Sequence, residues 1–245
     1  EHAKARYNLG LIYRHLGDLD NALLEWKKAV KVKRAMAIAI DREAIVDTLL
    51  SGFGQPLYMR DWMGHDAKAD SRWVFEYGPE GAKQLLAEAG YPDGFETTLV
   101  LPPPSYARRG GEIIAAQLRE VGINTEITNV EWAQWLDDVF KAKNFDLTIV
   151  SHTEPMDIGI YGREDYYFQY GDPDFQAIMA DLDKATDPAM RTELMQAAQR
   201  KIADDYVNGY LFQLARTGVA DTKLKGIWPN SPTQANDMTA VYWED

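Results

Sequence analysis

The stretch PEGAKQLLAEAGYPDGFETTLVL, Pro79 to Leu101, decides the fold class. Pro79 suits a first helical position. Ala82, Leu85, Leu86 and Ala89 then recur at three-to-four spacing, and Gly90 closes the helix. Tyr91-Pro92-Asp93-Gly94 reads as a turn, and residues 97–101 read as a short apolar strand stopped by Pro102-Pro103-Pro104.

Downstream the alternation continues. A helix is predicted over 108–120 on Ile113, Ile114, Ala116 and Leu118, ended by Gly122. Residues 123–130 alternate like a half-buried strand, 132–142 form an amphipathic helix, and 145–150 form a buried strand. Strand, helix, strand, helix, strand over 97–150 is α/β layering, with helices packed on a sheet. A polar and aromatic loop is expected over 151–173. Helices follow at 174–184 and, behind the Thr186-Asp187-Pro188 cap, up to about Asp204. Strands are expected at 210–215 and 239–243.

Upstream, a helix is predicted over 41–50 with Asp41 as its N-cap, stopped by Ser51-Gly52-Phe53-Gly54. Residues 55–76 are irregular and aromatic, with Tyr58, Trp62, Trp73 and Phe75. Residues 5–33 read as a helical hairpin. Leu9, Gly10, Tyr13 and Leu16 share one face, Gly17-Asp18 breaks the helix, and Ala22, Leu23, Trp26, Ala29 and Val30 mark the second. The run Tyr7-Asn8-Leu9-Gly10, with Tyr13, Gly17-Asp18, Ala22, Trp26 and Ala29, resembles one tetratricopeptide repeat. A single repeat cannot bury its own apolar faces. Residues 27–42, KKAVKVKRAMAIAIDR, contain no Gly or Pro, so the pattern can run on as one helix.

Several segments in order carry a second resemblance. Ala35-Met36-Ala37-Ile38-Ala39-Ile40-Asp41-Arg42 is similar to the "A-x-A-I-D-R" helix of solute-binding protein family 5, the dipeptide, oligopeptide and nickel-binding type. Residues 80–95 resemble that family's "A-K-x-L-L-A-E-A-G-Y-x-D-G-F" segment, and 116–123 its "Q-L-x-x-x-G-I" helix and strand. Asp187-Pro188, Arg191, Gln199 and Ala203 resemble its "D-x-x-x-R…Q…L-A" helix.

This resemblance implies a periplasmic-binding-protein type II-like C-terminal lobe over 34–245, behind an N-terminal helical hairpin over 1–33. The family's N-terminal lobe is absent from the chain. It implies the extracytoplasmic, periplasmic solute-binding component of an ABC importer, whose lobes close on a short peptide or similar small organic solute and deliver it to a membrane permease. It implies no enzyme and no cofactor. The alternative is a tetratricopeptide-type interaction module, binding a protein partner through the hairpin on an α/β scaffold.

The resemblance also singles out residues. In dipeptide-binding members an arginine matching Arg108 or Arg109 holds the ligand carboxylate. A guanidinium offers two parallel donors, and a helix N-terminus adds positive potential. The loop after 145–150 lies where open α/β sheets place ligands. Where peptide binders carry "W-x-x-D", this chain has Ser151-His152-Thr153-Glu154-Pro155-Met156-Asp157. His152 stands in the tryptophan's place, and Glu154 or Asp157 supplies the anion. Tyr161 and Tyr167 belong to an aromatic cluster that suits either a closing site or packing between lobes. Trp132 and Trp135 read as core.

Composition bounds the rest. The 245 residues suffice for a sizeable core. A net charge of −12 argues against general nucleic-acid binding, and zero cysteines exclude disulfides and thiolate chemistry. No run of eighteen apolar residues appears, and no leader precedes EHAKARYNLG, so an exported protein is expected here without its signal peptide. His2, His15, His65 and His152 show no metal-ligand spacing, and no nucleophile elbow occurs.

Overall fold

In the computed structural model the described residues are 9, 12–59, 77–152, 157–215, 217–228 and 237–245. The chain divides into two units, Glu1–Gln213 and Leu214–Asp245. The expectations for Tyr7, Asn8, Gly10, Trp62, Trp73, Phe75, His2, His65 and Glu154 fall outside the described residues.

Helix α1 (Leu19–Ile38) starts where Asp18 accepts the Asn21 N–H at 3.2 Å. With neither Gly nor Pro to stop it, α1 runs unbroken past Arg34. Its buried stripe is Ala22, Glu25, Ala29, Val32 and Ala35. The small residues let it lie along α3 (Pro79–Glu88), where Lys31 pairs with Glu88 at 2.7 Å. Leu23 and Val30, expected on the packed face, are instead exposed. So are Leu16 and Leu19.

Helix α2 (Arg42–Leu50) is capped by Asp41, which accepts from Ala44 N–H at 2.9 Å. Its first residue is the buried hub of this region. Arg42 donates to the carbonyls of Ala37, Ile40, Leu57 and Tyr210, and it lies over the Tyr58 ring. Burial lowers its pKa to about 10, which leaves it protonated at neutral pH. Strand β1 (Gly54–Pro56) follows.

The sheet comes next. β2 (Phe95–Leu101), helix α4 (Ser105–Glu120) and β3 (Ile123–Asn129) form a parallel βαβ unit, with Phe95 opposite Ile123 and Leu101 opposite Asn129. β4 (Leu147–Thr148) adds on the other side of β2, giving the order β3-β2-β4. The turn into β2 needs glycine. Gly94 sits at φ +76°, and a Cβ there would meet the Gly122 carbonyl oxygen at 1.9 Å. α4 buries Ala107, Gly110, Gly111, Ile114, Ala115 and Leu118. A Cβ on Gly111 would come within 2.5 Å of Leu101, so the glycine sets how closely helix and strand approach.

Two elements depart from expectation. The predicted strand over 145–150 shrinks to two residues. The Asp146 side chain accepts from Thr98 N–H at 3.0 Å, so a carboxylate sits where a ladder partner would stand. The predicted helix over 132–142 is one α-turn, α5 (Trp132–Trp135), continued as a π-helix over Leu136–Lys141. Trp135 is core and donates its indole N–H to Thr148 at 2.9 Å, but Trp132 is exposed, against expectation.

A 3-10 turn (Asp157–Gly162) then leads to α6 (Pro173–Lys184) and α7 (Pro188–Asp204). Asp172 and Asp187 cap them, each with a proline in the first turn. Their core gathers Ile158, Tyr161, Phe175, Leu182, Met195, Ala198 and Ile202. β5 (Phe212–Leu214) pairs with β1, and the boundary between the units falls inside it. Among its described residues the second unit holds an antiparallel pair, β6 (Leu224–Lys225) with β7 (Tyr242–Trp243).

Candidate functional site

Parallel strands bring the C-terminal ends of β2, β3 and β4 to one edge of the sheet. The chain leaves each strand there, which is where an open α/β sheet can present side chains to a ligand. From β2 it enters α4 through Ser105 and Tyr106. From β4 it reaches Ser151 and His152. These two exits are joined, because Ser151 N–H donates to the Tyr106 hydroxyl at 3.1 Å.

His152 is the centre of the cluster. Its Nε2 lies 3.1 Å from the Tyr167 hydroxyl, and its ring is parallel to the Tyr167 ring within 7°. Its Nδ1 lies 3.6 Å from Asp157 Oδ2, and the Asp157 side chain is only 6% exposed. Burial, then the neighbouring Tyr166, Tyr161 and Tyr106, push the Tyr167 hydroxyl well above its usual pKa. It therefore stays protonated and donates to Nε2. In the neutral ring the proton then belongs on Nδ1, facing the Asp157 carboxylate. The 3-10 turn brings Asp157 to the histidine.

Tyr161 belongs elsewhere. It is 3% exposed in the core beneath the turn. Its hydroxyl lies 2.9 Å from the Tyr210 hydroxyl and accepts from the Asn208 amide at 2.6 Å. Burial, then Tyr210 and Asp157, raise its pKa, so it serves as a neutral post under the turn that carries Asp157. Tyr167 is also mostly buried, and it joins the site through its hydroxyl alone.

The arginines separate. Arg108 Nη2 donates to the Val130 carbonyl and to Glu131 Oε1, both at 3.1 Å, while its buried Nε meets no acceptor among the described residues. An internal carboxylate thus stands on the guanidinium proposed for a ligand carboxylate. Arg109 is exposed on the next helical position. Sequence reasoning missed Tyr106, whose hydroxyl anchors the loop carrying His152. Its place directly after the helix start was the available signal.

No group of three or more His, Asp or Glu residues among the described ones can hold a metal. An open groove of about 780 Å³ between α6 and α7, lined by residues such as Asp181, Met190 and Arg200, lies away from this cluster in the chain.

Comparison with known proteins agrees with this architecture. The pattern of "Bacterial extracellular solute-binding proteins, family 5 Middle" matches residues 19–157, so the match begins with α1 itself. Heme-binding protein A of Haemophilus influenzae is 36% identical over 154 residues, covering 59% of this chain and 25% of that protein. Periplasmic oligopeptide-binding protein OppA of Escherichia coli is 28% identical over 199 residues, covering 72% and 35%. The crystal structure of a dipeptide-binding protein from Pseudoalteromonas, in complex with Met-Leu, superposes with a TM-score of 0.71 at 21% identity. It covers 88% of this chain and 45% of that one. The chain therefore spans less than half the length of these relatives. Its fold is that of the type II periplasmic binding proteins, and the chain belongs to the bacterial extracellular solute-binding proteins, family 5.

Proposed function

We propose that this chain is the C-terminal-lobe part of the solute-binding component of an ABC importer, taking up short peptides or similar small organic solutes outside the cytoplasmic membrane. The observation that carries the reading is the Asp157 carboxylate, largely buried, beside His152 and Tyr167 at the C-terminal edge of the sheet. A buried anion at that edge suits the cationic end of a solute. Arg109, exposed near the start of α4, suits its carboxylate. Arg108 joins only when a ligand displaces Glu131, and Glu154, close to Asp157 in sequence, is the other candidate anion. Tyr167 holds His152 through its hydroxyl, and Tyr161 ties the turn that carries Asp157 to Tyr210 and Asn208. Binding closes lobes around the solute, with no bond made or broken, and a membrane permease receives it. The relatives' names are those of binding proteins, which supports this over turnover.

Thermal shift of the chain against short peptides, opines, sugars and chelated nickel tests the reading. Peptides should raise the melting temperature and the Asp157→Asn variant should lose that rise. A rise unchanged in the variant contradicts it.

A second reading concerns α1. Leu19, Leu23 and Val30 form an exposed apolar stripe on α1 opposite the buried one, which supports a protein partner at the repeat-like segment. We place the family part from Leu19 onward and the repeat-like segment across its start. Deleting 1–33 would remove the core of α1, so Leu23→Glu is the usable probe. It should abolish partner capture and leave solute binding intact.

A further inference from the structure

His152 faces two groups of opposite demand. Tyr167 asks Nε2 to accept, and Asp157 draws a proton to Nδ1. A second proton on the ring can go only to Nε2, where the Tyr167 hydroxyl turns to accept instead of donate. The imidazolium so formed stands 3.6 Å from a carboxylate that is almost wholly shielded from water, where charge attraction is least screened.

We propose that His152 is an internal cation that competes with the positive end of a bound solute for the Asp157 carboxylate, so that acidification weakens the site for cationic solutes. The proposal rests on the solute-binding reading for its effect on affinity. The ion pair itself stands on the geometry alone.

The titratable groups around the ring come from three elements. The 3-10 turn supplies Asp157, the segment after it supplies Tyr166 and Tyr167, and α4 supplies Tyr106, which bonds the neighbouring Ser151. The three tyrosines bring hydroxyls and Asp157 brings the carboxylate, so Asp157 is the acidic partner among these groups. Above its midpoint the ring is uncharged and the carboxylate attracts a solute cation. Below it the ring is charged and is itself a cationic partner for that carboxylate. Proton and solute then oppose each other by reciprocal coupling. A solute with no positive end does not feel this competition, so pH changes selectivity as well as affinity.

The test uses the full chain. The His152 ring carbons are followed by NMR across the acid range, and His152→Gln assigns them by loss of signal. The midpoint should lie above the ordinary value of about 6.5, and Asp157→Asn should lower it by about one unit. A midpoint that Asp157→Asn does not move overturns the ion pair.

Calorimetry with Ala-Ala-Ala and its N-acetyl form supplies the second arm. From about pH 7.5 to about pH 5.5 wild-type affinity for Ala-Ala-Ala should fall about fivefold, most of the roughly tenfold limit that one unit of coupling sets. In His152→Gln it should fall less than about twofold, and the N-acetyl form should show no acid loss in either protein. Equal losses in wild type and His152→Gln overturn the competition. If neither peptide binds at any pH while the NMR midpoint behaves as expected, the solute-binding reading fails and the competition built on it falls, with the ion pair left standing.

Discussion

Arg42 donates its Nε–H to the carbonyl of Tyr210 at 2.7 Å, across 168 residues of sequence. The same guanidinium holds Ala37 and Ile40 at the end of α1 and Leu57 after β1. One side chain thus joins the first helix, the segment after β1 and the segment after α7. Tyr210 continues the path through its hydroxyl to Tyr161, under the turn that carries Asp157.

Removing that guanidinium leaves four carbonyls short of a donor, those of Ala37 and Ile40 in buried bonds and those of Leu57 and Tyr210 in part-buried ones. Arg42→Met should cost at least about 3 kcal/mol, since each buried unsatisfied group costs roughly 1–3 kcal/mol. Arg42→Lys keeps the charge but not the fork and should recover only part of it. Urea unfolding checks both. A loss under about 1 kcal/mol for Arg42→Met would show the carbonyls are satisfied without it.

Two glycines separate backbone strain from collision. Gly17 and Gly94 both have φ near +78°, but a Cβ at Gly17 meets open space and one at Gly94 meets the Gly122 backbone. Gly17→Ala should cost about 1–2 kcal/mol, the left-handed penalty alone. Gly94→Ala should cost clearly more, about 3 kcal/mol or above, because a rigid carbonyl must move. Denaturant melts of the two variants give the comparison, and equal costs would refute the close approach.

Much of this fold was legible in the sequence, for physical reasons. Pro79, Asp41 and Asp187 mark helix starts that local chemistry determines, and Gly122 marks a helix end at positive φ; Gly94 marks its turn in the sequence, while the Gly122 backbone that forbids a side chain there is a distant partner. What was not legible depends on distant partners. The trimming of β4 needs Asp146 to reach Thr98, and the occupation of Arg108 needs Glu131 on another element. Tyr161 and Tyr167 carry the same chemistry at a ligand surface or in a core, so their burial follows from the 3-10 turn and not from residue type. The meeting of His152 with Asp157 depends on that turn too.

Tyr161→Phe tests the post beneath the turn. It removes a hydroxyl shared with Tyr210 and Asn208 and keeps the ring. Stability should fall by roughly 1–3 kcal/mol, the cost of leaving buried polar groups unpaired. Solute affinity should fall only through Asp157, so N-acetylated and free peptides should converge in affinity. A uniform loss for both would make Tyr161 a direct ligand contact.

Lys201 gives a pH-dependent stability. Burial alone would lower its pKa, but hydrogen bonds to Asp205 at 2.6 Å and Asp172 at 2.9 Å carry it above 10.5. A base whose pKa is raised by folding contributes stability that is full below its unfolded value and lost as pH rises through its folded one. Lys201→Met should therefore lower the melting temperature at pH values below 10.5, and the gap from wild type should close above it. Melting curves across the alkaline range check this, and a gap that persists at high pH would assign the effect to packing.

The most direct test of the central claim is calorimetric titration of Ala-Ala-Ala into the chain and into its Asp157→Asn variant at neutral pH. The account predicts saturable one-to-one binding by the wild type, weakened about thirtyfold or more in the variant, the equivalent of about 2 kcal/mol for losing one partner of a buried charge pair. Binding of equal strength in both proteins, or none in the wild type, would contradict it.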